Sequence, residues 1–117
     1  MIARPSADRR PVSPSVSVIV AARNEEGNID ALIQRVPKLA ERQELIFVEG
    51  GSRDDTWGAL QRNIGITNPT GSVVSAHKQT GVGKGDAVRL GFAKATGDIL
   101  IILDADLSVP PEELPRF

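Results

Sequence analysis

Cysteine and tyrosine are absent from the 117 residues, and the chain has a single histidine, a single tryptophan and three phenylalanines. Without cysteine there is no disulfide and no thiolate metal site, a composition compatible with a reducing compartment. A lone His77 cannot supply a zinc ligand set, and its place at the end of a short predicted strand reads as structural or solvated. So few aromatic rings leave no platform on which single-stranded bases could stack. The net charge of −1 exerts no general pull on nucleic acid or an anionic membrane, so no nucleic-acid partner is expected. Long apolar runs are also missing: no stretch approaches the roughly 20 residues needed to cross a bilayer, so no transmembrane segment is expected. What is present, 40% hydrophobic and 25% charged, is ordinary for one soluble domain that buries roughly two thirds of its unfolded surface.

Residues 1–15 are rich in Pro, Ser and Arg with almost nothing to bury, and read as a flexible leader without the apolar centre of a signal peptide. The domain is expected over 16–117. Val16 to Ala22 is a continuous, β-branched strand candidate. Arg23 to Asn28 breaks it, and Asn28 is placed to cap a helix with the stripe Ile29, Leu32, Ile33 and Val36, which Pro37 ends. Glu44 to Glu49 is the next strand. Gly50 and Gly51 then allow a tight turn, and Ser52 or Asp54 can cap a helix bearing Trp57, Leu60 and Ile64. After a loop over 65–71, Ser72 to Ala76 is a short strand. A helix follows from about Ala87 to Ala95 with Val88, Phe92 and Ala95 inward, and Gly97 stands where a C-terminal cap belongs.

Ile99 to Leu103 is five consecutive large aliphatics, the pattern of a central parallel strand covered on both faces. It ends in Asp104-Ala105-Asp106. Four strands alternating with three helices predict an α/β fold, a Rossmann-like parallel sheet with flanking helices. Ligands of such sheets collect outside the carboxyl ends of the strands, where the loops 23–28, 49–55 and 104–108 all emerge.

Two acids separated by one residue share a face, about 6.6 Å apart if the chain stays extended. At about 5 Å they would repel by roughly 3 kcal/mol at an effective dielectric of 20, and a nearby diphosphate would add charge of the same sign. A divalent cation reverses that balance, and an oxygen site of few carboxylates plus phosphates suits Mg²⁺ or Mn²⁺. The alternative is structural: Asp104 as a turn former, with Asp106 or Ser108 capping a helix that starts at Pro110 and Pro111. Gly81-Val82-Gly83-Lys84-Gly85-Asp86 does not meet a Walker loop, which needs Gly at the position of Lys78 and Ser or Thr at Gly85. Nor does it meet a dinucleotide fingerprint, because Asp86 stands where glycine or alanine is required. Lys84 at a helix start is either a phosphate contact or an exposed lysine in a glycine loop.

Taken together, Val18 to Glu26, Val48 to Thr56, Gly83 to Val88, and Ala95 to Asp98 leading to Leu103-Asp104-Ala105-Asp106-Leu107-Ser108 resemble the family 2 glycosyltransferases of GT-A fold. The last block resembles the dolichyl- or polyprenyl-phosphate sugar synthases in particular. The resemblance implies inverting transfer of a sugar from a nucleoside-diphosphate sugar, dependent on Mg²⁺ or Mn²⁺, with a polyprenyl-phosphate lipid at a membrane surface as a candidate acceptor. It implies that Asp104 and Asp106 hold the metal, that Asn24 and Glu25 lie along the nucleotide, and that Glu49 meets the base or ribose. Ala21, Arg23, Lys84 and Ala105 complete the implied substrate contacts. Where the family usually has Asp-Asp before Gly-Ser, this chain has Glu49-Gly50. The family fold continues past the D-x-D block into an acceptor half. The chain therefore reads as the donor-binding half of a truncated GT-A domain, with catalytic residues expected beyond Phe117 and the 117 residues alone inactive. The expected location is cytoplasmic, with membrane association through downstream sequence.

The residues leave three other readings open. A sugar-nucleotide nucleotidyltransferase would want a glycine- and arginine-rich loop where Ala22 to Glu25 stands. A phosphatase of the haloacid-dehalogenase type would use Asp104 as nucleophile, although that motif normally opens its domain. A catalytically incomplete nucleotide-binding fragment is the non-enzymatic reading.

Overall fold

The computed structural model describes residues 13–65 and 68–116. Four parallel strands, β1 (Val16–Ala22), β2 (Gln43–Glu49), β3 (Val73–Lys78) and β4 (Ile99–Asp104), form one sheet in the order β3-β2-β1-β4. The helices α1 (Ile29–Arg35), α2 (Thr56–Asn63) and α3 (Lys84–Lys94) are the crossovers between successive strands. This is the Rossmann-like arrangement expected from the alternation of elements. Residues 1–12 of the expected leader lie outside the described residues. Ser15, at its end, is already tied to the fold: its N–H donates to Asp98 Oδ2 at 3.0 Å, and its carbonyl accepts the N–H groups of Asp98 and Ile99 at 3.0 Å.

The strand period of two sorts the core into two layers. On one face Val18 and Val20 of β1 and Leu45 and Phe47 of β2 pack against Ile29, Leu32 and Ile33 of α1 and Ala59 and Leu60 of α2. On the other, Ile19, Ile46 and Val48 pack against Ala87 and the half-buried Leu90 of α3. α1 buries the expected stripe and ends at Arg35, with Val36 extended before Pro37 as proline sterics require.

Several expectations fail, each for a local reason. Among the described residues β4 pairs with β1 alone, and the cover expected on both of its faces is not supplied by them: Ile99, Leu100 and Ile102 are 45%, 42% and 48% exposed. α3 lies over β1 and β2 rather than over β4. The buried residues of α3 are Ala87 and Gly91, with Leu90 and the expected Ala95 packed beside them, while Phe92 is exposed; at Gly91 the helix rides so close to Ile19 of β1 that a side chain does not fit. α3 also begins at Lys84, three residues before the expected start. Of the apolar residues expected on α2, Leu60 is buried and Trp57 packs against the core, with Thr56 and Ala59 buried beside them, but Ile64 is exposed past the helix end. Asn28 does not cap α1; a 3₁₀ turn over Glu26–Asn28 leads into the helix, and Asn28 Nδ2 donates to Glu25 Oε2 at 2.7 Å. Gly97 is not a left-handed cap, since α3 ends on an extended Ala95. Gly97 is small because a Cβ there would stand 2.7 Å from the Ser17 backbone N.

Candidate functional site

The sheet order places α1 and α2 on one face and α3 on the other, so the winding reverses between β1 and β4. Loops leaving neighbouring strands in opposite senses open a crevice at such a point, beyond the carboxyl ends of the strands. A cleft of about 460 Å³ lies there, a size that suits a small-molecule ligand. Ala21 and Asp104 are register partners at the ends of β1 and β4, which brings the acid pair to its wall.

Seven of the nine residues expected at the substrate line this cleft: Ala21, Arg23, Glu25, Lys84, Asp104, Ala105 and Asp106. Lys84 Nζ forms an ion pair with Asp104 Oδ1, both side chains remaining well exposed. β4 stops at Asp104, and a turn with Leu107 at φ 61° carries Asp106 onward. Asp106 Oδ1 accepts the Ser108 N–H at 2.9 Å, an Asx turn rather than a helix cap, and the 3₁₀ segment Pro111–Arg116 follows without its help. Hydrogen bonds from the Ser108 hydroxyl and N–H, with the Lys84 charge nearby, hold the Asp106 carboxyl below its usual range.

Asn24 and Glu49 do not line the cleft. Both are committed to the seam between the loops after β1 and β2. Asn24, at φ 55°, donates its N–H to Ser52 Oγ at 2.9 Å and accepts the Arg53 N–H on Oδ1 at 2.7 Å. Glu49 is 4% exposed, and its carboxylate accepts the Ser52 N–H. Burial works against its ionisation, yet bonds from the hydroxyl and N–H of Ser52 and the N–H of Gly51, with Lys78 nearby, win and lower its pKa. The same seam joins Glu25 N–H to Thr56 Oγ1 at 2.9 Å and Asp55 N–H to Glu26 Oε1 at 3.0 Å. These bonds fix the wall that carries Arg23 and Glu25.

Gln79, Gly50, Gly81, Val82 and Gly83 also line the cleft and were not singled out as substrate contacts. Gln79 Nε2 donates to the Gly83 carbonyl at 2.8 Å and to Asp86 Oδ2 at 2.9 Å, bracing the glycine loop that leads into α3. A single glutamine after a short strand gives no sequence signal of that role. The glycines do: Gly83 takes φ 93°, open chiefly to glycine, and sets the first turn of α3 toward the cleft.

Among the described residues no group of three or more His, Asp or Glu side chains could enclose a metal ion. Two neighbouring carboxylates fit a hard cation that takes its remaining oxygens from phosphate and water, as Mg²⁺ and Mn²⁺ do. No helix among the described residues is long and apolar enough to cross a membrane.

Comparison with known proteins agrees with this geometry. The model of the family described as Glycosyl transferase family 2 matches residues 17–117. Undecaprenyl-phosphate 4-deoxy-4-formamido-L-arabinose transferase of Proteus mirabilis (strain HI4320) is 37% identical over 106 residues, covering 87% of this chain and 32% of that protein. The protein of the same name from Pseudomonas syringae pv. syringae (strain B728a) is 35% identical over 106 residues, covering 87% and 31%. Among solved structures, the mannosyltransferase PcManGT from Pyrobaculum calidifontis, in complex with GDP-Man and Mn²⁺, superposes with a TM-score of 0.66 at 31% identity, over 81% of this chain and 28% of that one. Glucosyl-3-phosphoglycerate synthase from Mycobacterium tuberculosis, in complex with Mn²⁺, UDP and glucosyl-3-phosphoglycerate, gives 0.65 at 27% identity, over 87% and 37%. The chain spans about a third of the length of the curated relatives it matches. The fold is thus the GT-A type that the motifs implied.

Proposed function

Because the chain belongs to glycosyl transferase family 2, we propose that its cleft binds the diphosphate of a nucleoside-diphosphate sugar for metal-dependent, inverting glycosyl transfer. The observation that carries this reading is the meeting of Asp104, Asp106 and Lys84 at one cleft beside the first turn of α3. Opposite charges on the two walls suit a ligand that is itself anionic and arrives with a cation. Asp104 and Asp106 would hold Mg²⁺ or Mn²⁺, which when bound supplies Lewis-acid stabilisation of charge on the departing diphosphate. Lys84 and the free N–H groups at the start of α3 meet the phosphate oxygens from the other side. Ala21 and Ala105 leave room for the ligand to approach the backbone, and Arg23 and Glu25 border it from the loop after β1. The relatives and solved neighbours that carry sugar transfer to a lipid phosphate, or bind GDP-Man, UDP and Mn²⁺, support the same assignment.

In the transfer, the bond from the sugar's anomeric carbon to the diphosphate oxygen breaks, and the nucleoside diphosphate leaves with the electron pair. An acceptor oxygen forms the new bond from the opposite face, which inverts the configuration. A polyprenyl phosphate is the acceptor we favour, as its phosphate is already an ionised nucleophile and needs no strong general base. Such an acceptor would place the whole protein at a membrane surface.

Thermal shift with UDP and GDP, each with and without Mn²⁺, tests the donor site. Stabilisation that requires the metal is expected for at least one nucleotide, and is expected to vanish in Asp104→Ala and Asp106→Ala while the ligand-free melting temperature changes little. Unchanged nucleotide affinity in both variants would defeat the assignment.

A further inference from the structure

We propose that Lys84 is a built-in counter-ion for Asp104 that exchanges partners when the donor arrives, so that diphosphate and divalent cation each assist the entry of the other. The proposal rests on the donor-site reading above and adds a rule for how its two ligands are coupled.

Lys84 Nζ is held on Asp104 Oδ1, one of the two carboxylates that would face the cation. Its side chain is 60% exposed and that of Asp104 is 42% exposed, so solvent screens the pair and either member can be drawn away. A cation entering alone must displace the ammonium from Asp104. A diphosphate entering alone must pull Lys84 off the same carboxylate and leave that acid without its counter-charge beside the incoming anion. When both enter, Asp104 takes the cation, Lys84 takes the phosphate, and neither charge is left alone. Lys84 is the first residue of α3, directly after Gly83 at φ 93° and before Gly85, so the backbone around it carries no side chain that blocks a change of aim. Asp106 differs, since its Oδ1 is held by its own Ser108 turn and Lys84 is a nearby charge rather than its ion-pair partner. The coupling is reciprocal by thermodynamic necessity. An exposed ion pair of this kind corresponds to about a threefold effect on an equilibrium constant.

The test is a double-mutant cycle on wild type, Lys84→Met, Asp104→Asn and the double variant. UDP and GDP binding is measured calorimetrically in EDTA, and Mn²⁺ binding is measured without nucleotide by water-proton relaxation. Asp104→Asn is expected to tighten metal-free diphosphate binding about threefold more in the wild-type background than in Lys84→Met. Lys84→Met is expected to tighten nucleotide-free Mn²⁺ binding about threefold, an effect reduced when Asp104 is Asn. If the two residues act only as separate charges, the cycle is additive and the exchange is overturned while the donor site stands. If the wild type binds neither nucleotide even with Mn²⁺ present, the donor-site reading itself fails.

Discussion

Gly91 of α3 sits against Ile19 of β1 so closely that a Cβ at position 91 would stand 2.4 Å from Ile19 Cγ2. Neither side can yield easily, because Ile19 is fully buried at the centre of the sheet. Gly91→Val is expected to destabilise the chain by about 1–3 kcal/mol through overpacking, measured by urea denaturation. Gly91→Ala sets a sharper test, since helix propensity favours alanine by about 1 kcal/mol in an open helix. A stabilised alanine variant would show that α3 has room to move off the sheet.

Gly97 makes the corresponding demand at the other end of the sheet. Its N–H donates to Ser17 Oγ at 2.8 Å, and a Cβ would lie 2.8 Å from the Val16 carbonyl carbon. The obstacle is backbone, so it cannot rotate aside. Gly97→Ala should cost about 1–3 kcal/mol and loosen the start of β4, which amide exchange at residues 98–101 would report. Wild-type stability in this variant would disprove the close approach.

The sequence and the fold agree where the signal is a run or a periodic stripe. β1, β2 and the buried face of α1 are legible because continuous β-branched residues and the i, i+3, i+4, i+7 spacing of Ile29, Leu32, Ile33 and Val36 answer directly to burial. β4 is legible by the same rule as a parallel strand beside β1, while the described residues do not cover Ile99, Leu100 and Ile102, which stand half exposed. On α3 the expected Ala95 packs on the sheet but Phe92 does not, because the close approach at Gly91 centres the buried face on Ala87 and Gly91. At the cleft, the placement of Asp104, Asp106 and Lys84 follows from their positions at element ends. The bonds of Asn24, Glu49 and Gln79 could not be read in this way: those of Asn24 reach a loop distant in sequence, and those of Glu49 and Gln79 depend on how the turns after β2 and β3 fold back.

Glu44 ties β2 to the segment before β4, accepting Ser17 Oγ at 2.6 Å, the Thr96 N–H at 2.7 Å and Thr96 Oγ1 at 2.9 Å. Burial opposes its charge, but these donors prevail and its pKa falls below the ordinary 4.5. A carboxylate whose folded pKa is depressed gives stability that is fully present above its unfolded value and is lost as pH falls through the folded one. Glu44→Gln should therefore lower stability at neutral pH and shrink the loss of stability on acidification below about pH 4.5. Chemical denaturation of both proteins across that range checks it, and parallel curves would remove Glu44 from the account.

Gln79 is the brace whose loss should separate binding from folding. Its backbone N–H donates to the Glu49 carbonyl at 2.8 Å, extending the β2–β3 ladder, and its side chain reaches across the turn to the Gly83 carbonyl and Asp86. Gln79→Ala keeps the first bond and removes the other two. Each is worth about 0.5–1.5 kcal/mol and lies at the surface of the cleft, so the melting temperature should fall only modestly. The loop 80–83 would then lose what fixes it, and with it the placement of Lys84 and the first turn of α3. Faster amide exchange over residues 81–86 is expected, together with a several-fold weaker Mn²⁺-dependent affinity for UDP or GDP. If exchange in that loop is unchanged while affinity falls, Gln79 acts on the ligand directly; if neither changes, the loop is held by its own backbone.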